Sequence, residues 1–316
     1  MKPIDRLMSS TEKIETSVIV PAYHSESTIL PCLDSVMKQR DPASTEVIVV
    51  NSSDDAAQAL VARHFPDVIF FQSGVRLSAG AARNKGVEVA RGKVLVFIDS
   101  DCIAETDWLQ KMIAAHSVDK CGAAGGGVYC GNGKQLIAWA GYFLEFSEFL
   151  PGGPVRHVSH IPTCNISYKR SVFERLGGFD VDLYPAEDKE FNHRILISGD
   201  KILFDPSIRV RHFHRTGLSD FLEHQHRIGR MGVRLRRKLG KEPPRITRHP
   251  LFLCIASPAL LLARLVFFLK RLLTLKPSFF PIWLLSSPFY LLGLLWWMRG
   301  FAEESRPGRA GRSGCR

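Results

Sequence analysis

The chain has 316 residues, of which 45% are hydrophobic and 23% are charged. This length allows one large domain or two ordinary ones, and the balance excludes a disordered or low-complexity chain. The seven Cys are scattered without a C-x-x-C pair, which argues against a disulfide framework and a zinc finger. We therefore expect reduced thiols in a cytosolic compartment.

Short β-branched runs alternate with helical patterns through the first hundred residues. The predicted strands are 17–23, 46–50, 68–71 and 93–98, and the predicted helices are 25–40, 54–65 and 78–91. Strands that are apolar on both faces and separated by single helices predict a parallel sheet covered on both sides. Ligands bind at the carboxyl ends of the strands in such sheets, and polar clusters occur there at 23–26, 51–55 and 99–101.

The acidic pair Asp99 and Asp101 follows the fourth predicted strand. Two carboxylates two residues apart can converge on one hard cation such as Mg²⁺ or Mn²⁺. A solvated turn is the alternative, but folding alone explains an acidic pair at the crevice poorly. Arg83, on the preceding helix, would pair with a diphosphate or an acidic ligand, or would belong to a solvated helix face.

The pattern becomes less regular after the fourth strand. Residues 122–133 are glycine-rich, 143–154 are mixed, and 201–214 are expected to form an extended pair. Glu187 and Asp188 open a predicted helix, where they are either partners of the helix dipole or a general base kept ionised by the helix N-terminus. His212 and His214 alternate onto one face, and each is either a structural histidine or a third metal ligand.

The C-terminal third is basic and apolar. Residues 218–239 predict a basic amphipathic helix, suited either to a membrane surface or to packing on the domain. Two apolar spans, 251–269 and 277–298, are each long enough for a hydrocarbon core. Arg264 is costly in the middle of the first span. We therefore expect either a transmembrane hairpin or two helices that lie in the membrane without crossing it.

The net charge of +11 is confined to this third of the chain. Nine basic groups lie in 227–248 and five Arg in 299–316, whereas 1–226 is slightly acidic. Basic residues that flank apolar spans indicate anionic cytoplasmic lipid as the partner, and we expect no nucleic acid. Residues 1–15 lack the apolar core of a signal peptide. A cell-membrane protein with its residues 1–240 in the cytoplasm is therefore predicted.

Seven short motifs occur in order along the soluble part of the chain. They are S-V-I-V-P-A-Y from 17, E-V-I-V-V-N from 46, A-R-N-K-G from 82, F-I-D-S-D from 97, C-N-I-S-Y-K-R from 164 with G-G-F-D from 177, A-E-D from 186 and H-x-H from 212. Together they resemble the family-2 glycosyltransferases, over about residues 17–230. The resemblance implies an α/β fold with the mostly parallel, Rossmann-like sheet of A-type nucleotide-sugar transferases.

The predicted division of the chain follows from the resemblance and the apolar spans. An N-terminal extension at 1–16 precedes a catalytic domain at 17–240 and a linker at 241–250. Two transmembrane or membrane-embedded helices at 251–298 come next, and a basic tail at 299–316 ends the chain.

The resemblance also implies roles for the acidic clusters. A nucleoside-diphosphate sugar would bind in the crevice, and Mg²⁺ or Mn²⁺ on Asp101 would neutralise the leaving diphosphate. Asp99 would contact the ribose or the metal, and His212 would face the metal or a phosphate. Asp188 would be the base of an inverting displacement, and Glu187 would orient it or the acceptor.

On the donor side, the resemblance places the base pocket at the first two strand ends. Pro21, Ala22 and Tyr23 would line it, with Glu26 nearby. Arg83 would support the diphosphate or the acidic pair. Asn51, at the end of the second strand, is a departure, because the family usually has Asp there to read the base.

A second departure concerns residues 225–229, which do not match the Q-x-x-R-W motif of processive synthases. Two apolar spans are also too few for a polymer channel. We therefore predict a metal-dependent inverting transferase that adds one sugar to a lipid-borne or glycolipid acceptor at the cytoplasmic membrane face. The alternative is a non-catalytic membrane subunit that binds nucleotide sugars, for which Asn51 is the motive.

Overall fold

The computed structural model of the chain describes residues 14–242 and 257–306, and a mixed β-sheet lies at its centre. The strands are β1 (Thr16–Ala22), β2 (Thr45–Asn51), β3 (Ile69–Gln72), β4 (Val94–Phe97), β5 (Cys102–Ala104), β6 (Cys121–Cys130), β7 (Arg156–His157), β8 (Ile166–Lys169) and β9 (Lys201–His212). Their order is β3-β2-β1-β4-β8-β6-β9-β5, and β7 pairs with β9.

Helices cover the sheet and extend beyond it. They are α1 (Ile29–Met37), α2 (Ala57–His64), α3 (Ala79–Val89), α4 (Trp108–Ala114), α5 (Leu136–Phe146), α6 (Arg170–Leu176), α7 (Glu187–Ile197), α8 (Leu218–Lys238), α9 (Ser257–Leu275) and α10 (Phe280–Ser305). The five cysteines that the structure describes are free thiols. Cys254 and Cys315 lie outside the described residues.

The first half of the sheet is parallel, as its sequence predicts. Strands β3, β2, β1 and β4 are parallel neighbours, with Ile19 opposite both Ile48 and Phe97. Strands β1 and β2 are buried along their whole length. Because the middle of each strand is buried on both faces, its sequence there is a continuous apolar run rather than an alternating one.

The second half of the sheet is mixed, so the prediction of a mostly parallel sheet holds only for the first half. Strand β8 is antiparallel to β4 and β6, while β9 is parallel to β6 and antiparallel to β5 and β7. The extended pair predicted at 201–214 is wrong, because β9 is one strand. Its Asp205-Pro206-Ser207 segment, which looks like a turn, lies at an irregularity in the pairing with β6.

The glycine-rich segment forms the central strand β6. A Cβ at Gly125 would collide with the carbonyl oxygen of Asn165, and one at Gly126 would collide with those of Asp205 and Ile208. Glycine therefore permits the neighbouring backbone to approach β6 this closely.

The C-terminal helices pack on the sheet domain and on each other. The Phe268 ring of α9 stacks on Tyr290 of α10 with centroids 5.4 Å apart. Helix α10 crosses α8 in backbone contact, because Gly229 meets the carbonyl oxygen of Trp297 and Gly300 meets that of His226. Among the described residues, the segment Pro277–Ser305 alone has the length and composition to cross a membrane.

The predicted boundaries shift in this region. Helix α9 runs to Leu275, so most of residues 270–276, which separate the two predicted apolar spans, are helical. Helix α10 continues through 299–305, the start of the predicted basic tail. Residues 1–13 of the extension, 243–250 of the linker, 251–256 of the first span and 307–316 of the tail lie outside the described residues.

Candidate active site

A cavity of about 440 Å³ lies between the carboxyl edge of the sheet and the C-terminal helices. Six predicted site residues line it: Arg83, Asp99, Asp101, Glu187, Asp188 and His212. They come from α3, the ends of β4 and β9, and the start of α7. The fold thus brings together residues that lie more than a hundred positions apart in the chain.

Arg83 ties two of the acidic clusters together. Its Nη2 donates to Asp99 Oδ1 at 2.6 Å and its Nη1 donates to Glu187 Oε1 at 2.7 Å. Burial alone would lower the pKa of Arg83, but the two carboxylates outweigh burial and raise it. Helix α3 can approach this closely because Gly86 lies against Ile19 and Gly80 against Glu187.

Asp101 and His212 converge because β5 and β9 are paired. Cys102 lies opposite His212 in the antiparallel register, which brings His212 Nε2 to 3.5 Å from Asp101 Oδ1. One ligand atom from each of Asp101, His212 and Cys102 lies within 4.8 Å of the others. Burial raises the pKa of Asp101 and the charge of Asp99 adds to this, although His212 opposes it. A carboxylate in this state gains from a nearby cation.

The donor set at this point fits a divalent metal ion. Carboxylate oxygen suits Mg²⁺ and Mn²⁺ alike, and the imidazole nitrogen is a softer donor that favours Mn²⁺. Burial holds the pKa of the Cys102 thiol well above its usual range, and a neutral thiol is a poorer ligand than a thiolate. Asp99, predicted as a further ligand, is held by Arg83 instead of joining this group.

Glu187 and Asp188 occupy the first turn of α7, where no side chain caps the helix. Burial raises the pKa of Glu187 to about 7, although Arg83 opposes this. Burial also raises the pKa of Asp188, against the opposing effect of Lys189, whose backbone N–H donates to Asp188 Oδ1 at 2.7 Å. The sequence predicts that the helix N-terminus keeps Asp188 ionised by lowering its pKa, but burial has the larger effect on this pKa and raises it. A raised pKa makes Asp188 a stronger base.

The residues predicted for the base pocket lie outside the lining of the cavity. Pro21 and Ala22 end β1, beside the end of β4, and Tyr23 is 41% exposed. The guanidinium of Arg76 lies 4.7 Å from the centroid of the Tyr23 ring. Glu26 accepts a hydrogen bond from the backbone N–H of Ala56 at 3.4 Å. Their part in donor binding stays a prediction.

Asn51 is fully buried, and its amide holds the loop after β2. It donates to the Ser53 carbonyl oxygen at 2.9 Å and to Asp55 Oδ1 at 3.1 Å, and it accepts from the Ser53 hydroxyl at 3.0 Å. These hydrogen bonds to Ser53 and Asp55 hold the loop after β2 in place. Asn51 is therefore explained by local folding, and it no longer gives a motive for a non-catalytic protein.

Other cavity residues have no counterpart among the sequence predictions. Gln225 Nε2 donates to Glu145 Oε1 at 2.7 Å, and His224 Nε2 lies 3.5 Å from Glu145 Oε2. Burial would raise the pKa of Glu145, but His224 lowers it to about 2. Further lining residues are His160, Thr163, Cys164, Tyr184, Arg215, Arg264 and Trp297. Gln225 begins the segment 225–229 that was compared with the Q-x-x-R-W motif, and this partial likeness is the only feature of the sequence that points to it as a site residue.

The family follows from comparison with known sequences. The model of Glycosyl transferase family 2 matches residues 17–177, half of the chain. The chain belongs to glycosyl transferase family 2. Two relatives of this family 2 glycosyltransferase come from Haloferax volcanii. Glycosyltransferase AglE is 26% identical over 222 residues, covering 68% of this chain and 71% of the relative. Glucosyl-dolichyl phosphate glucuronosyltransferase is 24% identical over 218 residues, covering 63% and 69%.

Solved structures share the fold of this family 2 glycosyltransferase. Mannosyltransferase PcManGT from Pyrobaculum calidifontis, in complex with GDP-Man and Mn²⁺, superposes with a TM-score of 0.61 at 20% identity, covering 93% of this chain and 88% of that one. S. aureus TarS 1–349 in complex with UDP-GlcNAc gives 0.52 at 19% identity, covering 93% and 90%. The predicted A-type fold is thereby confirmed.

Proposed function

We propose that this family 2 glycosyltransferase moves one sugar from a nucleoside-diphosphate sugar to a lipid-linked acceptor, with inversion and with a divalent metal ion. The observation that carries the proposal is the Arg83 bridge, which holds Asp99 and Glu187 in one cavity with Asp101 and Asp188. An acidic group for a metal and a separate carboxylate of raised pKa are the two parts that this reaction needs.

Asp101 and His212 are the residues that would hold Mg²⁺ or Mn²⁺. A bound ion supplies neutralisation of the diphosphate charge that develops as the donor bond breaks. Arg215 faces the same end of the cavity and offsets the charge of Asp101. The likeness to a fold neighbour solved with Mn²⁺ supports the choice of ion.

Asp188 is the proposed base. The acceptor hydroxyl oxygen attacks the anomeric carbon of the donor, its proton passes to a carboxylate oxygen of Asp188, and the bond from the anomeric carbon to the diphosphate oxygen breaks. Attack from the side opposite to the leaving group inverts the configuration. Glu187 lies next to Asp188 and is fixed by Arg83, so it would orient the base or the acceptor.

The acceptor class follows from the second wall of the cavity. Phe267 and Phe268 of α9 and Tyr290 and Trp297 of α10 line the side away from the sheet. A cavity that joins carboxylates to apolar helices fits a molecule with a sugar at one end and hydrocarbon at the other. A relative named for its glucosyl-dolichyl phosphate substrate supports this choice.

We further propose that the C-terminal helices lie at the cytoplasmic membrane surface without crossing the bilayer. The start of α10 is held on the sheet domain, since the ring of Phe279, just before this helix, lies 5.2 Å from that of Trp139 and 6.4 Å from that of Tyr129. The later half of α10 lies against α8, whose Arg230 and Arg234 pair with Glu304. Such charged groups are costly in hydrocarbon, so this half stays outside it. The remaining apolar turns of α10, about 13 residues, reach roughly 20 Å, less than the ~30 Å core.

Labelling of the hairpin tip tests this topology. Lys276→Cys in sealed inverted membrane vesicles should react with an impermeant maleimide only from the catalytic-domain side, or from neither side. The unsubstituted chain gives the background. Labelling from the opposite side would show that the hairpin crosses the bilayer.

Donor binding and transfer test the enzymatic proposal. A cognate UDP-, GDP- or dTDP-sugar should raise the unfolding temperature with Mn²⁺ present, since stabilisation grows with the logarithm of ligand concentration over Kd. Asp101→Ala should remove the Mn²⁺-dependent part of the shift and the transfer to a membrane extract. Full transfer by Asp101→Ala would contradict the assigned metal role.

A further inference from the structure

Arg264 is a cation on the helical wall of the cavity that the proposed reaction leaves unused. Its guanidinium carbon lies 4.1 Å from the centroid of the Trp297 ring. Within residues 14–242 and 257–306, no carboxylate lies at ion-pair distance from Arg264, and no side chain accepts a hydrogen bond from it. Arg83, which lines the same cavity, has both kinds of partner.

The side chains next to Arg264 are mostly apolar, and Glu148, which lines the same cavity, is the carboxylate whose charge acts on it from beyond ion-pair distance. Phe267 and Phe268 follow Arg264 on α9, and Leu262 and Val266 are 62% and 57% exposed on the outer side of that helix. In the proposed membrane setting, a charged side chain beside this exposed leucine and valine is costly unless an anion joins it. The aromatic face of Trp297 offsets part of that cost, but it does not neutralise the charge.

The cavity therefore presents three kinds of chemistry. Carboxylates lie at the sheet edge, the Arg264 guanidinium lies on the helical wall, and exposed apolar side chains continue along α9. A lipid whose sugar is linked through phosphate carries three matching parts: a sugar hydroxyl, a phosphate and a hydrocarbon chain. A guanidinium also matches phosphate oxygens with paired N–H donors.

We propose that Arg264 binds the phosphate of a lipid-phosphate-linked sugar and thereby selects this class of acceptor over neutral glycolipids. The inference rests on the proposed transferase function, because it names the acceptor of the same cavity. Arg264 acts on specificity and takes no part in breaking or forming the glycosidic bonds.

Direct binding to the full-length chain tests the inference without requiring turnover. Farnesyl phosphate and farnesol, in detergent micelles, serve as charged and neutral probes, and quenching of tryptophan fluorescence reports binding near Trp297. We expect farnesyl phosphate to bind at least about tenfold more tightly than farnesol, as for a charge-assisted hydrogen bond. Arg264→Gln should remove this preference, and Arg264→Lys should keep part of it because the charge remains.

Lys270→Gln is the matched control, since it removes one exposed charge from the same helix outside the cavity. It should leave the preference for farnesyl phosphate unchanged. Equal binding of the two probes by the unsubstituted chain would overturn the inference. So would a preference that survives in Arg264→Gln, or one that Lys270→Gln lowers as much as Arg264→Gln does.

A parallel assay separates this inference from the proposed function. Release of nucleoside diphosphate from donor, with Mn²⁺ and no acceptor, depends only on the sheet-edge residues. If no donor is turned over while farnesyl phosphate binding still depends on Arg264, the transferase proposal fails and the phosphate site stands. If Arg264→Gln still turns over donor and still prefers farnesyl phosphate to farnesol, the role of Arg264 is wrong and the transferase proposal stands.

Discussion

The two walls of the cavity differ in how their charges are satisfied. On the sheet-edge wall, Arg83 is buried between Asp99 and Glu187, and each group has a partner before any ligand arrives. On the helical wall, Arg264 faces the ring of Trp297 without such a carboxylate among the described residues. The charged groups of the first wall are already paired for chemistry. On the second wall, we expect the phosphate of the bound acceptor to supply the missing partner of Arg264. The four predictions below test this difference.

The largest effect is expected at Asp188. Asp188→Asn keeps the shape of the side chain but removes proton acceptance, so transfer should fall about 10²–10⁴-fold. Binding of the donor, measured by thermal shift, should change little. Normal transfer by Asp188→Asn would show that Asp188 is not the base.

Breaking the Arg83 bridge should be nearly as costly, but to stability. Arg83→Met leaves the buried Glu187 and the partly buried Asp99 without their cation, and such a loss costs about 3–5 kcal/mol. The measurement is the free energy of unfolding of the metal-free chain in urea at pH 8, where Glu187, whose pKa is about 7, is ionised. Lys85→Met is the control on the same helix, because its pair with Glu88 is exposed and should contribute under about 1 kcal/mol. Equal losses of unfolding free energy in Arg83→Met and Lys85→Met would show that the Arg83 bridge does not stabilise the sheet-edge wall.

Protonation of Glu187 gives the third prediction. Because burial raises the pKa of Glu187 from 4.5 to about 7, the folded chain holds a proton that the unfolded chain releases. Its contribution to stability is full below pH 4.5 and is lost as the pH rises through 7. As the pH rises from 4.5 to above 7, the free energy of unfolding of Glu187→Gln should fall less than that of the unsubstituted chain. The difference between the two falls should be up to about 3 kcal/mol. Parallel curves of unfolding free energy against pH would refute the shift.

The smallest effect concerns the attachment of the helical wall. Glu304 is 1% exposed and accepts hydrogen bonds from Arg230 and Arg234, both at 2.9 Å. Since the arginines are partly exposed, Glu304→Gln should cost only about 1–2 kcal/mol. Amide hydrogen exchange in 293–305 should quicken while donor turnover stays unchanged. Glu223→Gln, which breaks an exposed pair with Arg227, should leave exchange in 293–305 unaltered.

The sequence predicts the sheet-edge wall far better than the helical one. Strands β1 and β2 are buried throughout, so their apolar runs are unambiguous, and the acids after β4 and at the start of α7 fall within recognisable motifs. Helix α5 escapes the pattern because most of its residues are buried, leaving no polar face to mark a helical period. The single strand β9 escapes it because Pro206 looks like a turn.

The residues of the helical wall escape prediction for a different reason. Glu145, Gln225 and Arg264 come from three helices, and no local signal in the chain says that these helices meet. Arg264 is visible in the sequence only as a costly charge in an apolar span. Its neighbourhood depends on how α9 and α10 fold back over α5, which is set by tertiary packing.

On the proposed topology, the glycine crossing between α8 and α10 links the position of the enzyme at the membrane to the geometry of its cavity. Any larger side chain at Gly229 or Gly300 would push the two backbones apart. Helix α8 carries His224 and Gln225, and α10 carries Trp297, so one crossing fixes two sides of the cavity. On the proposed topology, the height of the cavity above the bilayer would be built into the protein rather than set by a flexible tether. A substrate confined to the membrane would then meet Asp188, the proposed base, at a constant distance.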